Sequence, residues 1–159
     1  MAEFVLAIDQ GTTGSTVALM DSAGKLRASV NFEFPQLYPQ PGWVEHRPTD
    51  IWDSVVKGIR ALMRKRICKP TDIVAIGITN QRETALLWDR SSGEPLNNAV
   101  VWQCRRTTDF CEQLKSDGHE KTVRRKTGLL LDPYFSASKF RWLLDNTAGV
   151  SRLHRAGKV

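Results

Sequence analysis

The feature of the sequence that most constrains its fold is a nearly continuous apolar run over Ile73–Thr79. A run of this kind is typical of a strand that is buried on both faces of a parallel sheet. An amphipathic helix precedes it, because apolar residues recur at helical spacing from Trp52 to Ile67, after a helix-starting Pro48. A helix followed by such a strand predicts an α/β layer, with this strand parallel to the first strand of the chain.

Strand-like segments occupy the part of the chain before this helix. Residues 4–8 and 16–20 are apolar runs, and residues 26–34 alternate between apolar and polar side chains. Short turns separate the three segments, which predicts an antiparallel meander. After the apolar run the sequence predicts three helices, at 106–115, 120–126 and 136–146. The expected fold class is therefore α/β, with a three-stranded meander, a buried parallel strand and helices.

The composition excludes several classes of protein. A chain of 159 residues suits about one domain, and none of its apolar runs approaches the roughly 18–20 residues of a membrane span. Residues 1–4 contain no basic segment, so a secretory signal is not expected. The three cysteines form no C-x-x-C pair and predict neither a zinc site nor a disulfide framework. We expect a soluble cytoplasmic protein with reduced thiols and no membrane partner.

The net charge of the chain is +6, and most of the basic excess lies in its last third. The longest basic run there is Arg124-Arg125-Lys126, and no recognised nucleic-acid-binding module surrounds it. A run of this length is more typical of a solvated helix face than of a binding patch. Nucleic acid is therefore not predicted as a partner.

The segment between the first two strands offers groups that a phosphate could contact. Gly11 and Gly14 permit backbone conformations that turn successive N–H groups inward. Asp9, at the end of the first strand, could hold Mg²⁺ through water. Three hydroxyl groups add further donors, those of Thr12, Thr13 and Ser15. Because no helix and no Lys follow, this is not a P-loop, and a polar hairpin turn explains the same residues equally well.

Polar residues directly follow the apolar run, and among them are Arg82 and Glu83. In open α/β sheets, ligands bind at the carboxyl ends of the strands. An adjacent Arg and Glu offer both donors and acceptors to hydroxyl groups. A structural ion pair at the end of the sheet is an equally good interpretation of this pair.

Two aromatic residues in the second half of the chain are further candidates. Trp102 follows a strand-like run and could lie against the C–H face of a polyol, although Trp is more often part of a core. Tyr134 lies in a loop before the last long helix and could offer its hydroxyl group to a cleft. In the same loop, Ser136 is expected to cap that helix.

Five segments in this order resemble the FGGY carbohydrate kinases, and within that family the members that phosphorylate glycerol. The resemblance runs from near Phe4 to about Asp145. It implies an actin/hexokinase-like (ribonuclease H-like) fold. It also implies Mg²⁺-dependent transfer of the γ-phosphate of ATP to glycerol, giving sn-glycerol 3-phosphate. The segments that carry the resemblance are 9–13, 41–46, 77–84, 101–107 and 132–136.

The resemblance also assigns roles to individual residues. It implies that Arg82 and Glu83 hydrogen-bond glycerol hydroxyl groups. Trp102 would contact the carbon backbone of glycerol, and Tyr134 would add another hydroxyl contact. Asp9 would be the Mg²⁺-associated carboxylate. The first phosphate loop would bind ATP through the hydroxyl groups of Thr12, Thr13 and Ser15.

The chain departs from the family pattern in two respects. Thr16 stands where the family usually has an Arg, which removes one charged contact to the nucleotide phosphates. Family members are also several-fold longer, so residues 1–159 are expected to be the N-terminal part of the first kinase domain, without the second domain. The catalytic base is expected beyond Val159, and the isolated chain is predicted to be inactive. The complete enzyme is expected to be a homo-oligomer.

The sequence leaves two other functions open. The first is phosphorylation of a different polyol or sugar by a kinase of the same family. The second is a non-catalytic role, in which the chain binds a partner through the unpaired edge of its sheet.

Overall fold

The structure, a computed structural model, describes residues 3–159. The first two residues, which belong to the segment judged to contain no secretory signal, lie outside the described part. The chain forms two compact units, which are described separately. The first unit comprises the chain up to Gln36 together with Arg47–Gln81, and the second comprises Leu37–His46 and Arg82–Val159.

Strands dominate the first unit and helices dominate the second. Within residues 3–159 the strands are β1 (Phe4–Gln10), β2 (Gly14–Asp21), β3 (Leu26–Glu33), β4 (Glu45–His46), β5 (Ile73–Thr79) and β6 (Ala99–Val100). The helices are α1 (Pro48–Arg64), α2 (Thr108–Ser116), α3 (Glu120–Thr127), α4 (Ser136–Asn146) and α5 (Val150–Arg155), with a short 3-10 turn at Pro70–Asp72.

The sheet of the first unit has the strand order β3-β2-β1-β5. The first three strands pair antiparallel, and β5 pairs parallel to β1, with Ile8 opposite Ile78. The predicted meander and the predicted parallel strand are therefore confirmed. Helix α1 is the connection between β3 and β5 that a parallel pairing requires.

Helix α1 packs closely on the sheet because one of its residues has no side chain. A Cβ atom added to Gly58 would lie 2.5 Å from Cγ2 of Val17 on β2. Real Cβ atoms do not approach so closely, so glycine allows the helix to reach the sheet at this point. Leu62, one turn further along α1, is buried with Leu6 and Leu19 in the core of the unit.

The prediction that the apolar run is buried on both faces was wrong. Strand β5 lies at the edge of the sheet, and Ile78 is 71% exposed, with Val74 and Ile76 also well exposed. Helix α1 contacts mainly β2 and β3, which lie toward the opposite edge of the sheet, so it does not cover β5. The apolar pattern identified a strand correctly, but its burial depends on a covering layer that α1 does not supply.

The second unit is built around a buried ion pair. Nη2 of Arg106 lies 2.6 Å from Oε1 of Glu45, and the two side chains are 1% and 13% exposed. The guanidinium also stacks over the rings of Trp43 and Trp142, with its Cζ atom 3.9 and 4.5 Å from their centroids. These contacts join the segment 41–46, the residues before α2 and helix α4 into one body.

The helices of the second unit begin and end close to the predicted positions. Helix α4 has the predicted bounds, and α3 extends one residue further, to Thr127. Helix α2 begins at Thr108 rather than at 106, because Arg106 belongs to the buried ion pair before the helix. Across residues 3–159, no helix combines the length and the apolar content needed to cross a membrane.

Candidate functional site

The first candidate group lies in the first unit, in the turn between β1 and β2. Residues 11–13 form a short hairpin loop, which is closed by a hydrogen bond of 2.9 Å from the amide of Gly11 to the carbonyl of Gly14. The carbonyl of Thr13 accepts a hydrogen bond from the amide of Phe34, which holds the loop against the end of β3. Asp9, at the end of β1, is exposed. The loop is therefore fixed in place, with a carboxylate beside it.

The glycines of this loop serve a different purpose from the one expected. Neither Gly11 nor Gly14 has a positive φ. A Cβ atom on Gly14 would instead lie 2.8 Å from the carbonyl oxygen of Phe32 on β3. Gly14 is thus required because two strands approach closely, whereas the expected requirement was an unusual backbone conformation.

The expected role of Ser15 does not agree with its position. Ser15 is completely buried, and its hydroxyl lies 2.7 Å from the hydroxyl of Ser54 on α1. Ser54 in turn donates a hydrogen bond to the carbonyl of Ile51. The Ser15 hydroxyl is therefore not accessible to a phosphate in this structure, and we exclude it from the phosphate loop proposed below.

The residues near Asp9 suit a Mg²⁺ site only if phosphate oxygens and water supply most of the ligands. In the described residues 3–159, no group of three or more His, Cys, Asp or Glu side chains could hold a metal ion. Mg²⁺ is often held by one or two carboxylates, with phosphate oxygens and water as its other ligands. Asp9 can supply one carboxylate in that arrangement, so the residues present fit an ion that arrives with a nucleotide.

Thr16, which stands where the resemblance implies an Arg, takes part in the sheet. Its hydroxyl oxygen accepts a hydrogen bond of 2.9 Å from the side-chain amide of Asn31 on β3. A neutral pair therefore occupies this position on β2 and β3. It offers no positive charge to a phosphate.

The second candidate group lies in the second unit and begins with Glu83. Its backbone has φ 62°, in the left-handed region that side chains rarely adopt. One of its carboxylate oxygens, Oε2, accepts hydrogen bonds from both the amide and the hydroxyl of Ser136, at 2.8 and 2.7 Å. The predicted capping role of Ser136 was wrong, because Ser136 is the first residue of α4 and donates to a distant carboxylate. Glu83 thus stabilises the start of α4.

Trp102 and Tyr134 form an aromatic pair beside the start of α4. Their ring centroids lie 5.7 Å apart with an interplanar angle of 64°, an edge-to-face arrangement. The amide of Tyr134 donates a hydrogen bond to the carboxylate of Asp132, and its side chain is 38% exposed. Tyr134 therefore has an ordered backbone and an accessible side chain.

Three of the four predicted substrate-binding residues converge on the start of α4. Glu83 contacts Ser136, and Tyr134, two residues before Ser136, contacts Trp102. Arg82 is exposed and lies in the turn next to Glu83, so only the chain connection brings it to this cluster. We call Arg82, Glu83, Trp102 and Tyr134 the polyol cluster, after the polyol contacts that the sequence resemblance implies for them.

Sequence reasoning missed Lys139, a buried residue of α4 that contacts the loop carrying Tyr134. It is 0% exposed, and its ammonium donates hydrogen bonds to the carbonyls of Tyr134 and Phe135. Burial lowers the pKa of Lys139 to about 8, and the nearby negative charges of Glu83 and Asp132 oppose that shift. The sequence held a signal, since Lys139 precedes the buried Leu143 by one helical turn.

Comparisons with known proteins identify the family to which the chain belongs. The model of the FGGY family of carbohydrate kinases, N-terminal domain, matches residues 4–157. A glycerol kinase of Caldanaerobacter subterraneus subsp. tengcongensis is 50% identical over 159 residues, which are 100% of this chain and 32% of that protein. This chain thus spans about a third of the length of the curated relatives it matches.

Two solved structures resemble the chain over most of its length. One is the crystal structure of Plasmodium falciparum glycerol kinase with ADP, with a TM-score of 0.92 and 32% identity over 99% of this chain and 31% of that one. The other is the gluconate kinase of Lactobacillus acidophilus, with a TM-score of 0.85 and 28% identity over 94% of this chain and 30% of that one. The mixed α/β architecture is therefore that of the N-terminal domain of sugar kinases with the actin/hexokinase-like fold.

Proposed function

The chain belongs to the FGGY family of carbohydrate kinases, and we propose that it is the N-terminal part of a kinase that phosphorylates glycerol with ATP. The similarity to glycerol kinases over the whole chain supports the choice of glycerol. The observation that carries the proposal is the polyol cluster, in which Ser136 fixes Glu83 and Trp102 packs on Tyr134. A carboxylate, an aromatic face and a phenol hydroxyl together suit a small polyol.

Each member of the polyol cluster would have a distinct part in glycerol binding. Because Ser136 bonds to Oε2 of Glu83, the other carboxylate oxygen can accept a hydrogen bond from a hydroxyl group of glycerol. Arg82 would donate to a second hydroxyl group. Trp102 would contact the C–H groups, and the hydroxyl of Tyr134 would make a further polar contact. Such contacts orient the substrate so that one terminal hydroxyl group can react.

The hairpin loop of the first unit would contribute to binding of the ATP phosphates. The hydroxyl groups of Thr12 and Thr13 are the donors that we retain there, since Ser15 is buried. Asp9 would hold Mg²⁺ through water, and the bound ion would neutralise charge on the phosphates. Because Thr16 carries no charge, the loop would rely on hydroxyl and backbone donors.

Catalysis would need groups outside these 159 residues. Phosphoryl transfer requires a residue that accepts the proton of the attacking hydroxyl group. We assign no residue of this chain to that role and propose that another part of the complete kinase supplies it. The isolated chain is therefore expected to show no turnover of ATP and glycerol.

The experiment that tests this function is a chimeric enzyme. The 159 residues replace the matching third of the Caldanaerobacter glycerol kinase, which is 50% identical over this region. We expect the chimera to form glycerol 3-phosphate from ATP and glycerol. Trp102→Leu should raise the KM for glycerol, whereas Trp88→Leu, at an exposed tryptophan outside the polyol cluster, should leave it unchanged.

A second candidate substrate follows from the likeness to gluconate kinase. The same chimera is assayed with D-gluconate and, because a solved xylulose kinase of Lactobacillus acidophilus is also 28% identical to this chain, with D-xylulose at the same concentration. If a folded chimera phosphorylates one of these sugars and not glycerol, the glycerol assignment is overturned in favour of a sugar kinase. If it phosphorylates none of the three, the proposal of a kinase segment fails.

A further inference from the structure

Lys139 is the only lysine of residues 3–159 whose side chain is completely buried. It lies on the first turn of α4, and its ammonium bonds to the carbonyls of Tyr134 and Phe135 in the loop before the helix. A buried ammonium is costly unless several acceptors surround it. Methionine or leucine would fill the same space without that cost, so the charge itself calls for an explanation.

The two carbonyls belong to the loop segment that carries the accessible phenol of the polyol cluster. An ammonium that holds the carbonyl of Tyr134 fixes the backbone from which the Tyr134 side chain projects. The position of that side chain determines its edge-to-face contact with Trp102. Lys139 therefore acts on two members of the polyol cluster without touching either side chain.

The same ammonium interacts electrostatically with the carboxylate of the cluster. Glu83 is the negative charge that most strongly favours the protonated form of Lys139. Ser136 holds Glu83 in place, and it lies three residues before Lys139 in the same turn of α4. The first turn of α4 thus acts on the carboxylate through Ser136 and on the aromatic pair through Lys139.

We propose that Lys139 is a positioning residue, whose ammonium group sets the geometry of the polyol cluster and thereby its affinity for polyols. The affinity part of this inference rests on the function proposed above. The geometric part concerns the contact between Trp102 and Tyr134 and can be measured without any ligand.

The proposal has a consequence for pH dependence. The pKa of Lys139 is about 8, because burial disfavours the charged form. The titratable groups that face it are Glu83 in the turn after β5, Asp132 in the loop before α4, Cys104 before α2 and Cys111 on α2. At pH 7 the group is charged, and above pH 8 it becomes a neutral amine that makes weaker hydrogen bonds. The polyol cluster should therefore loosen as the pH rises through about 8.

The experiment uses the 159-residue chain and proton NMR between pH 6.5 and 9.5. The readout is the nuclear Overhauser effect between the rings of Trp102 and Tyr134. The internal control is the same effect between Trp43 and Trp142, whose centroids lie 5.2 Å apart and whose contact involves Arg106. Three variants are compared with the wild type: Lys139→Met, Lys139→Arg and, as a matched control on α2, Lys115→Met.

We expect the Trp102–Tyr134 effect of the wild type to weaken with a midpoint near pH 8, while the Trp43–Trp142 effect stays constant. In Lys139→Met it should be weak at every pH, and Lys139→Arg, which keeps a charge, should not show the midpoint near pH 8. Glycerol, added as the probe, should bind Lys139→Met about tenfold more weakly, because binding must then also order the Tyr134 loop that the charge-assisted hydrogen bonds of Lys139 hold in the wild type. Lys115→Met should behave as the wild type.

The outcomes separate this proposal from the proposed function. An unchanged Trp102–Tyr134 effect in Lys139→Met, or in the wild type over the pH range in which the stability difference from Lys139→Met or Lys139→Arg shows Lys139 to titrate, overturns the positioning role. The wild-type titration gives this answer even if Lys139→Met does not fold. If the contact depends on Lys139 but the wild type does not respond to glycerol, the positioning of the aromatic pair stands, and the assignment of a glycerol site to this chain is contradicted.

Discussion

One carboxylate oxygen of Glu83 accepts two hydrogen bonds from Ser136, one from its amide and one from its hydroxyl, although 53 positions separate the two residues. This contact links the turn after β5 to the start of α4. It holds Glu83 in a left-handed backbone conformation that costs on the order of 1–2 kcal/mol for a residue with a side chain. The geometry of the carboxylate therefore depends on a serine hydroxyl.

Replacing that hydroxyl should weaken substrate binding. Ser136→Ala keeps the amide donor and removes the hydroxyl donor, a loss of about 1.5–3 kcal/mol for a bond to a charged group. We expect the KM for glycerol of the chimeric kinase to rise roughly tenfold, with a smaller change in kcat. Ser151→Ala, at an exposed serine on α5, is the control. Unchanged kinetics in Ser136→Ala would show that Glu83 does not need this donor.

The hydroxyl and the ring of Tyr134 should have separable roles. Tyr134→Phe keeps the ring contact with Trp102 and removes the phenol hydroxyl. We expect a several-fold rise in the KM for glycerol, from the loss of about 1 kcal/mol of hydrogen bonding, and little change in stability. The matched control is Tyr38→Phe, at the other tyrosine of the chain. If Tyr134→Phe leaves the KM unchanged, the phenol does not contact the substrate.

The buried position of Ser15 predicts an effect on stability. Ser15→Ala removes the hydrogen bond to Ser54 and should lower the free energy of unfolding by about 1 kcal/mol, measured by urea denaturation of the chain. The KM of the chimera for ATP should stay constant. Thr13→Ala, at an exposed loop residue, should raise the KM for ATP and leave the free energy of unfolding unchanged. A raised KM for ATP in Ser15→Ala at unchanged stability would restore Ser15 to the phosphate loop.

The buried ammonium of Lys139 should make stability depend on alkaline pH. Its folded pKa of about 8 lies below the ordinary value of 10.5, so between these pH values the unfolded chain binds more protons. Below pH 8, Lys139 therefore lowers the free energy of unfolding. This destabilising effect becomes smaller as the pH rises from 8 to 10.5. Urea unfolding at pH 7, 8, 9 and 10 should show the wild type gaining stability relative to Lys139→Met. A constant difference between the two proteins would contradict the assigned pKa.

The exposed edge strand predicts self-association of the 159-residue chain. Val74, Ile76 and Ile78 are all more than half exposed on β5, and an apolar edge strand can pair with another copy. Sedimentation velocity at increasing concentration should detect dimers or larger species. Ile76→Lys should reduce them, because a charge on an edge strand opposes pairing, whereas Ser92→Lys in an exposed turn should not. A monomer at all concentrations would exclude the edge as a binding surface of the chain.

The strands and helices were predictable because local patterns determine them. The meander and the bounds of α4 follow from apolar periodicity and turn residues, and the parallel pairing of β5 follows from the helix that precedes it. The burial of β5 was not predictable, since it depends on which strands α1 covers. An apolar pattern in the sequence identifies a strand but does not show which helices pack on its faces.

The candidate site shows the same division between local and distant information. Sequence motifs made Glu83, Trp102 and Tyr134 candidates, but they could not reveal the donors that hold Glu83, since those lie far along the chain. The burial of Ser15 was not predictable for the same reason, because its partner Ser54 is 39 positions away. Lys139 was overlooked because lysine is usually exposed and its acceptors are backbone carbonyls of an irregular loop.

The left-handed backbone of Glu83 sets function against stability at a single position. Glycine adopts this conformation without strain, so Glu83→Gly would relieve the backbone cost while it removes the carboxylate. A stability-guided redesign that judged each position by its backbone alone would choose glycine there and discard the proposed substrate contact. Thermostabilisation of this segment should therefore leave position 83 untouched and draw its gains from exposed positions elsewhere.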